Sequence, residues 1–160
     1  MFKRNIRPPR RNIFMPKVLH MNYVRFGGHS RFVPPMLAIA QTDGSFYQHS
    51  KAGKAGALLL KPDDTFSSHV QPLYKLVSST EAEWASVYLG ICVAEQANQS
   101  SIGLENDCLG VVHQIMMKSH QRHEYARYYH YKIKETSKNF DWCGIRWIPR
   151  EMNRADKLLR

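Results

Sequence analysis

The segment Met36–Tyr47 reads MLAIAQTDGSFY, an apolar run that passes through a polar group and ends on aromatic residues. This pattern predicts the first strand of a folded domain, with Asp43 at the end of its apolar part. Gly44 follows directly, and a glycine allows a neighbouring backbone to approach closely. Turn-separated apolar segments at Ala55–Leu60 and Ser68–Leu76 predict two further strands. Consecutive short strands joined by turns indicate an antiparallel meander.

Beyond residue 79 the apolar spacing becomes mainly helical. The predicted elements are helix Thr80–Gln96, strand Ser101–Leu104, helix Cys108–Met117, helix Gln121–Lys138, strand Asp141–Ile148 and a last helix from Asn153. Three strands followed by alternating helices and strands predict an α/β fold, in which helices pack on a mixed sheet.

The composition is typical of one globular domain. Of the 160 residues, 43% are hydrophobic and 22% are charged. No apolar run approaches the roughly 20 residues that span a bilayer. Three widely spaced cysteines, Cys92, Cys108 and Cys143, fit neither a disulfide framework nor a zinc site. We therefore predict buried thiols in a reducing compartment and an intracellular, cytoplasmic protein.

The N-terminal part of the chain is unusually basic. Residues 1–42 contain eight Lys and Arg and no acid, so eight of the ten formal positive charges lie there. Five prolines and the pair Gly27–Gly28 interrupt residues 1–35, which predicts an unstructured basic extension before a domain at residues 36–160. The extension has three candidate roles: an electrostatic arm for nucleic acid, an organelle-targeting segment or a plain tail.

Four acids lie at junctions of the predicted elements. Asp43 ends the first strand, and Glu83 lies in the first turn of the first helix. Asp107 follows the fourth strand, and Asp156 lies near the start of the last helix. Each alone has a local explanation as a turn, a cap or a partner of the helix dipole. Together, in a basic chain, they predict a site for divalent cations, because hard cations take carboxylate oxygens.

Four segments around these acids resemble the motifs of type 1 ribonuclease H. They are Thr42–Phe46 (TDGSF), Ser79–Ala85 (STEAEWA), Glu105–Cys108 (ENDC) with Val111 and Val112, and Trp147–Leu158 (WIPREMNRADKL). The last segment is the most specific, and the resemblance covers residues 37–160. It implies a ribonuclease H-like fold with a mixed five-stranded sheet, in which three antiparallel strands precede strands added through helical crossovers. The element order predicted from the residues agrees.

The resemblance also implies an activity and a cofactor. The family's enzymes are endonucleases that hydrolyse the RNA strand of RNA/DNA hybrids and leave 5′-phosphate and 3′-hydroxyl ends. The implied cofactor is a pair of Mg²⁺ ions, for which Mn²⁺ can substitute. By the family's pattern Asp43 bridges both ions and Asp156 completes the site of the ion that activates water. Glu83 and Asp107 hold the ion that faces the leaving oxygen.

The same pattern places substrate contacts on small residues. They are Gly44, Ser45, Ser78 and Ser79. The expected partner is therefore an RNA/DNA hybrid, bound by a monomer with no membrane involved. Many relatives carry a histidine in the loop before the fourth acid, whereas this loop reads Pro149–Met152, and Glu151 is the candidate for part of its role. A short final helix is expected to anchor Asp156 less firmly than the other acids.

Two alternative functions, and two interpretations of one basic, aromatic stretch, remain open. The chain could be a related domain of mobile-element origin that acts on other nucleic acids, or a catalytically weak hybrid-binding module. A basic, aromatic stretch predicts either contact with the hybrid backbone or a solvated helix face. Its members are His113, Lys118, His120, Arg122, His123, Tyr125, Arg127, Tyr128, Tyr129, His130, Tyr131, Lys132 and Lys134.

Overall fold

Six strands form one mixed sheet in the computed structural model, which describes residues 23–117 and 123–160. The strands are β1 (Val24–Gly27), β2 (Ala38–Tyr47), β3 (Ala52–Leu60), β4 (Phe66–Leu73), β5 (Ser101–Asn106) and β6 (Trp142–Trp147). The helices are α1 (Ser79–Gln96), α2 (Leu109–Met116) and α3 (Glu124–Ser137), followed by 3₁₀ helices at Arg150–Met152 and Arg154–Leu159. No helix in these described parts is both long and apolar enough to cross a bilayer.

The strand order across the sheet is β1-β6-β5-β2-β3-β4. Strands β2, β3 and β4 pair antiparallel, whereas β5 lies parallel to both β2 and β6. The predicted α/β fold, its meander and its crossover strands are therefore confirmed. The five predicted strands and three main helices are all present, with ends shifted by a few residues. The last predicted helix is a 3₁₀ helix rather than an α-helix.

The sixth strand lies where the sequence predicted no regular structure. Strand β1 pairs antiparallel with β6, with Val24 opposite Ile145, and its Phe26 side chain is buried. Lys134 of α3 donates a hydrogen bond to the carbonyl oxygen of Phe26 at 3.0 Å. The prediction of an unstructured segment up to residue 35 is therefore wrong for this strand, because tertiary pairing stabilises four residues that lack a recognisable period. Residues 1–22 lie outside the described part of the chain.

The two faces of the sheet are covered by different elements. Successive strand residues point to opposite faces. Ala57 and Leu59 of β3 belong to the main core, which also contains the buried Trp84 of α1. The intervening Leu58 instead packs against the terminal 3₁₀ helix, whose buried side chains are Ala155, Leu158 and Leu159. The short terminal helix is thus part of the folded core.

The three cysteines are free thiols, and the prediction that they are buried is confirmed only for Cys143. Cys143 is buried in β6, and Cys92 and Cys108 are half-buried. Burial raises the pKa of each thiol above its ordinary value. The reducing compartment stays a prediction.

Candidate active site

A close approach of α1 to β2 brings Glu83 next to Asp43. A Cβ atom on Gly44 would lie 2.4 Å from the carbonyl oxygen of Ala82, so only a glycine permits this contact. The approach places Glu83 beside Asp43 and Gly44, which lie within β2. The prediction that Asp43 ends its strand is therefore wrong, because β2 continues to Tyr47 by pairing with β3. Its Oε1 atom accepts a hydrogen bond from the backbone N–H of Gly44 at 3.2 Å. Asp43, the residue before Gly44, is 7% exposed.

The third acid reaches the same place from the neighbouring strand. Because β5 runs parallel to β2, with Asn106 opposite Thr42, Asp107 and Asp43 both lie at the edge of the sheet where β5 ends, although β2 itself continues to Tyr47. Asp107 is the first residue after β5. Its carbonyl oxygen accepts a hydrogen bond from the Nε1 atom of Trp147 at 2.9 Å, which ties it to the end of β6.

Three carboxylates converge at this edge. Asp43, Glu83 and Asp107 each offer one oxygen, and these oxygens all lie within 4.8 Å of one another. They come from three separate elements, so only the fold brings them together. An oxygen-only donor set at this spacing suits a hard divalent cation.

Burial and mutual repulsion favour the protonated acids. Burial, with the charge of Asp107 second, raises the pKa of Asp43 to about 6. Burial, with the charge of Asp43 second, raises the pKa of Glu83 to about 9. Burial also raises the pKa of Asp107. The cluster therefore needs protons or a positive counter-charge.

Asp156 faces the same cavity but stands outside the group of three. The Nη2 atom of Arg160 lies 2.6 Å from its Oδ2 atom, one turn along the same terminal segment. The cavity has a volume of about 570 Å³. Its lining residues are Asp43, Gly44, Ser45, Tyr47, Glu83, Asp107, Arg150, Asp156, Leu159 and Arg160. All four predicted acids thus line one cavity.

Two buried side-chain amides anchor the segment that carries Asp156. The Nδ2 atom of Asn153 donates to the carbonyl oxygen of Thr42 at 2.8 Å. The Oε1 atom of Gln41 accepts from the backbone N–H of Arg154 at 3.0 Å. We expected weak anchoring because the last helix is short, but the structure ties this segment directly to β2, the strand of Asp43.

The four predicted substrate contacts separate into two pairs. Gly44 and Ser45 line the cavity. Ser78 and Ser79 lie at the start of α1 and are not among the lining residues. Ser78 caps the helix by accepting from the backbone N–H of Glu81 at 3.3 Å, and its hydroxyl donates to the Oη atom of Tyr125 at 3.3 Å. Ser78 thus has a local structural role.

Several residues of the site were not predicted as such. In the loop before Asp156, Arg150 lines the cavity and Glu151 does not, so the loop offers a cation rather than the acid we expected. The sequence could have indicated Arg150 as a site residue, since it belongs to the motif Trp147–Leu158 around Asp156. Asn106 belongs to the ENDC motif and Gln41 to the first strand, but neither was predicted to have a role, because their roles depend on partners distant in the chain.

Some side chains of the basic, aromatic stretch are exposed, whereas others pack against neighbouring elements. Tyr128 and Tyr131 of α3 are exposed, by 55% and 62%. The His130 ring instead packs edge-on against buried Trp84, with centroids 6.1 Å apart, and Lys134 is bonded to β1. The predicted backbone contacts at Lys118, His120 and Arg122 lie outside the described residues.

Comparison with known proteins agrees with this architecture. Residues 41–159 match the family described as reverse transcriptase-like. The structure is similar to ribonuclease H1 from the halophilic archaeon Halobacterium salinarum NRC-1, with a TM-score of 0.70, 21% identity, and coverage of 76% of this chain and 92% of that chain. It is also similar to an N-terminal ribonuclease H domain from Mycobacterium tuberculosis, solved as a fusion with maltose-binding protein. There the TM-score is 0.69 and the identity 19%, with coverage of 76% of this chain and 94% of that chain.

No curated protein sequence matches the chain. The family match covers most of the chain and includes all four acids of the cavity. The strand order, the helix positions and the structural likeness agree with it. The chain therefore belongs to the reverse transcriptase-like family and has the ribonuclease H-like fold.

Proposed function

We propose that the protein is a nuclease that hydrolyses the RNA strand of RNA/DNA hybrids and depends on divalent cations. The observation that carries this proposal is the convergence of Asp43, Glu83 and Asp107 from three elements, with Asp156 facing the same cavity. The structural neighbours support it, since their names describe a ribonuclease H1 and a ribonuclease H domain.

The four acids fit divalent cations by their chemistry. The donors are all carboxylate oxygens, which Mg²⁺ prefers, and Mn²⁺ accepts the same ligands. The raised pKa values of Asp43 and Glu83 reflect negative charge that has little solvent to stabilise it. In the proposed site two Mg²⁺ ions are held by Asp43, Glu83, Asp107 and Asp156. When bound, such ions stabilise the charge that develops on a phosphate and favour deprotonation of the attacking water.

The protein's own contribution is to hold these carboxylates in place. Glu83 is oriented by the backbone N–H of Gly44 and by Asn106, whose Nδ2 atom lies 3.0 Å from Oε2 of Glu83. Because a nuclease of this kind acts through positioning and charge, prior orientation of its acids lowers the cost of reaching the transition state. The expected products are 5′-phosphate and 3′-hydroxyl ends.

The cavity also contains groups suited to a nucleic-acid strand. Arg150 and Arg160 line it beside the acids, and a guanidinium attracts and binds phosphate oxygens. Gly44 and Ser45 are half-buried and line the cavity next to Asp43, where they can contact the 2′-hydroxyl that distinguishes RNA from DNA. In this proposal Ser78 and Ser79 flank the bound strands at the start of α1.

A second candidate is a nuclease for another nucleic acid. The description of the matched family as reverse transcriptase-like favours a domain of mobile-element origin, in which the hybrid is one of several candidate substrates. A hybrid-binding module of weak activity is the third outcome to be distinguished by experiment.

One panel of substrates tests these functions. Labelled RNA/DNA hybrid, single-stranded RNA, double-stranded RNA and duplex DNA are incubated with the protein in Mg²⁺ or in EDTA. We expect cutting of the RNA strand of the hybrid alone, and only with Mg²⁺. Cleavage of duplex DNA would support the second candidate, whereas hybrid binding without cleavage would support the third.

The Asp43→Asn variant tests the site itself. It should lose cleavage and keep hybrid binding, since it removes one charge and little volume. Asp141→Asn is the control, because Asp141 is exposed and does not line the cavity. Full activity of Asp43→Asn would show that the site is misassigned.

A further inference from the structure

Asn106, the last residue of β5, lies behind the group of three acids. It is fully buried, at 0% exposure. Its Nδ2 atom lies 3.0 Å from Oε2 of Glu83, 3.0 Å from Oγ1 of Thr42 and 3.1 Å from the carbonyl oxygen of Thr42. One side-chain amide therefore joins β5, β2 and α1 at the edge of the sheet where the acids meet.

The orientation of this amide follows from its other partner. The backbone N–H of Cys108 donates to Oδ1 of Asn106 at 2.7 Å. A backbone N–H can only donate, so the carbonyl end of the amide must face Cys108. The NH₂ end consequently faces Glu83. One of its two hydrogens is available to the Glu83 carboxylate and the other to Thr42.

We propose that Asn106 is a positioning residue that holds the Glu83 carboxylate in the orientation needed to bind a divalent cation. This role rests on the proposed cation site. Without a cation, a proton shared with Asp43 also holds the Glu83 carboxyl. In the charged form that binds a cation this bond is lost, and two donors remain: Gly44 to Oε1 and Asn106 to Oε2. Two donors on opposite oxygens define the plane of a carboxylate, whereas one donor leaves it free to rotate. Loss of Asn106 should therefore weaken cation binding even though Glu83 itself is intact.

Ser86 provides a control in the same buried network. Its hydroxyl donates to the backbone carbonyl of Glu83 at 2.7 Å and accepts from Asn106 at 3.4 Å. It is fully buried. Ser86→Ala therefore disturbs the same part of the core but leaves both donors to the Glu83 carboxylate in place.

The test is a titration of Mg²⁺ or Mn²⁺ into protein without nucleic acid, followed by isothermal calorimetry. Asn106→Ala should weaken cation affinity by about tenfold, the lower end of the effect usual for removing a hydrogen bond to a metal ligand. Ser86→Ala should bind the cation as the wild type does. If Asn106→Ala does not fold, Asn106→Ser leaves a smaller void and gives the same measurement.

Hybrid cleavage supplies a second readout. In Asn106→Ala, kcat at limiting Mg²⁺ should fall about tenfold and recover as Mg²⁺ is raised, while KM for the hybrid stays nearly constant. Wild-type cation affinity in a folded Asn106 variant would overturn this role and leave the proposed function standing. An equal loss of affinity in Ser86→Ala would also overturn it. A wild-type protein that binds no cation would overturn the site itself.

Discussion

The backbone N–H of Gly44 donates to Oε1 of Glu83 at 3.2 Å, across the contact between β2 and α1. This bond depends on the missing side chain of Gly44, because a Cβ atom there would lie 2.4 Å from the carbonyl oxygen of Ala82. The absence of a side chain at Gly44 thus allows α1 to approach β2, and this approach brings Glu83 close to Asp43. Stability and activity should therefore change together when this position is altered.

Gly44→Ala should damage the protein by forcing α1 away from β2. Overpacking against backbone, which has no freedom to yield, should lower the free energy of unfolding by about 2 kcal/mol. Displacement of Glu83 should lower kcat about 100-fold. Urea denaturation and hybrid cleavage measure the two effects. Gly110→Ala is the control, since an added Cβ there meets no atom of residues 23–117 or 123–160 within 4 Å, and it should be neutral or slightly stabilising. Equal behaviour of the two variants would contradict this explanation.

The metal-free protein should lose stability as pH rises. The pKa of Asp43 is raised to about 6 and that of Glu83 to about 9, so the folded state retains protons that the unfolded state releases. Their contribution to stability is therefore complete below about pH 4 and is lost progressively up to about pH 9. The quantity to measure is the difference in unfolding free energy between wild type and Glu83→Gln, because it isolates the contribution of this acid.

Urea denaturation in EDTA at a series of pH values measures that difference. Glu83→Gln should gain stability relative to the wild type as pH increases from 5 to 9. Saturating Mg²⁺ should reverse the advantage, because the cation stabilises only the charged site. A difference that does not vary with pH would show that Glu83 ionises normally.

Glu105 should be essential to stability although it does not line the cavity. Its Oε2 atom lies 2.6 Å from Nη2 of Arg146, and their side chains are only 3% and 12% exposed. Tyr23 and Gln41 also donate to this carboxylate. Glu105→Ala leaves Arg146 buried without its counter-charge and should cost about 3–5 kcal/mol in unfolding free energy.

A second ion pair provides the comparison for Glu105. Glu135 and Lys138 lie 2.8 Å apart, but their side chains are 44% and 67% exposed. Glu135→Ala should therefore change stability by less than about 1 kcal/mol, because solvent screens exposed pairs. Similar losses in the two variants would mean that burial does not control these interactions.

Arg150→Ala should weaken substrate binding more than it weakens the fold. Arg150 is exposed, and its charge faces the cavity that contains Asp107. Removal of one phosphate contact should raise KM for the hybrid and reduce the salt dependence of binding by about one unit of slope. Lys157→Ala is the control, because Lys157 is also exposed but does not line the cavity. An identical salt slope in both variants would contradict a contact at Arg150.

Much of the fold was predictable because its signals are local. The apolar run before Asp43, the helical spacing after residue 79 and the turns between strands each lie within a short segment. These gave the meander, the crossovers and the junction positions of Glu83, Asp107 and Asp156. Asp43 instead lies inside β2, because that strand continues to Tyr47. Strand β1 was missed because its four residues have too little periodicity to predict, and they are ordered by pairing with β6.

The sequence by itself determined which acidic residues are the candidate cation ligands and on or beside which elements they lie. Only the tertiary structure decided how those acids are held. The orientation of Glu83 depends on Asn106, the anchoring of Asp156 depends on Gln41 and Asn153, and neither relationship is visible in spacing along the chain. The physical reason is that a buried amide has a role only through its hydrogen-bond partners, and folding brings those partners from distant segments.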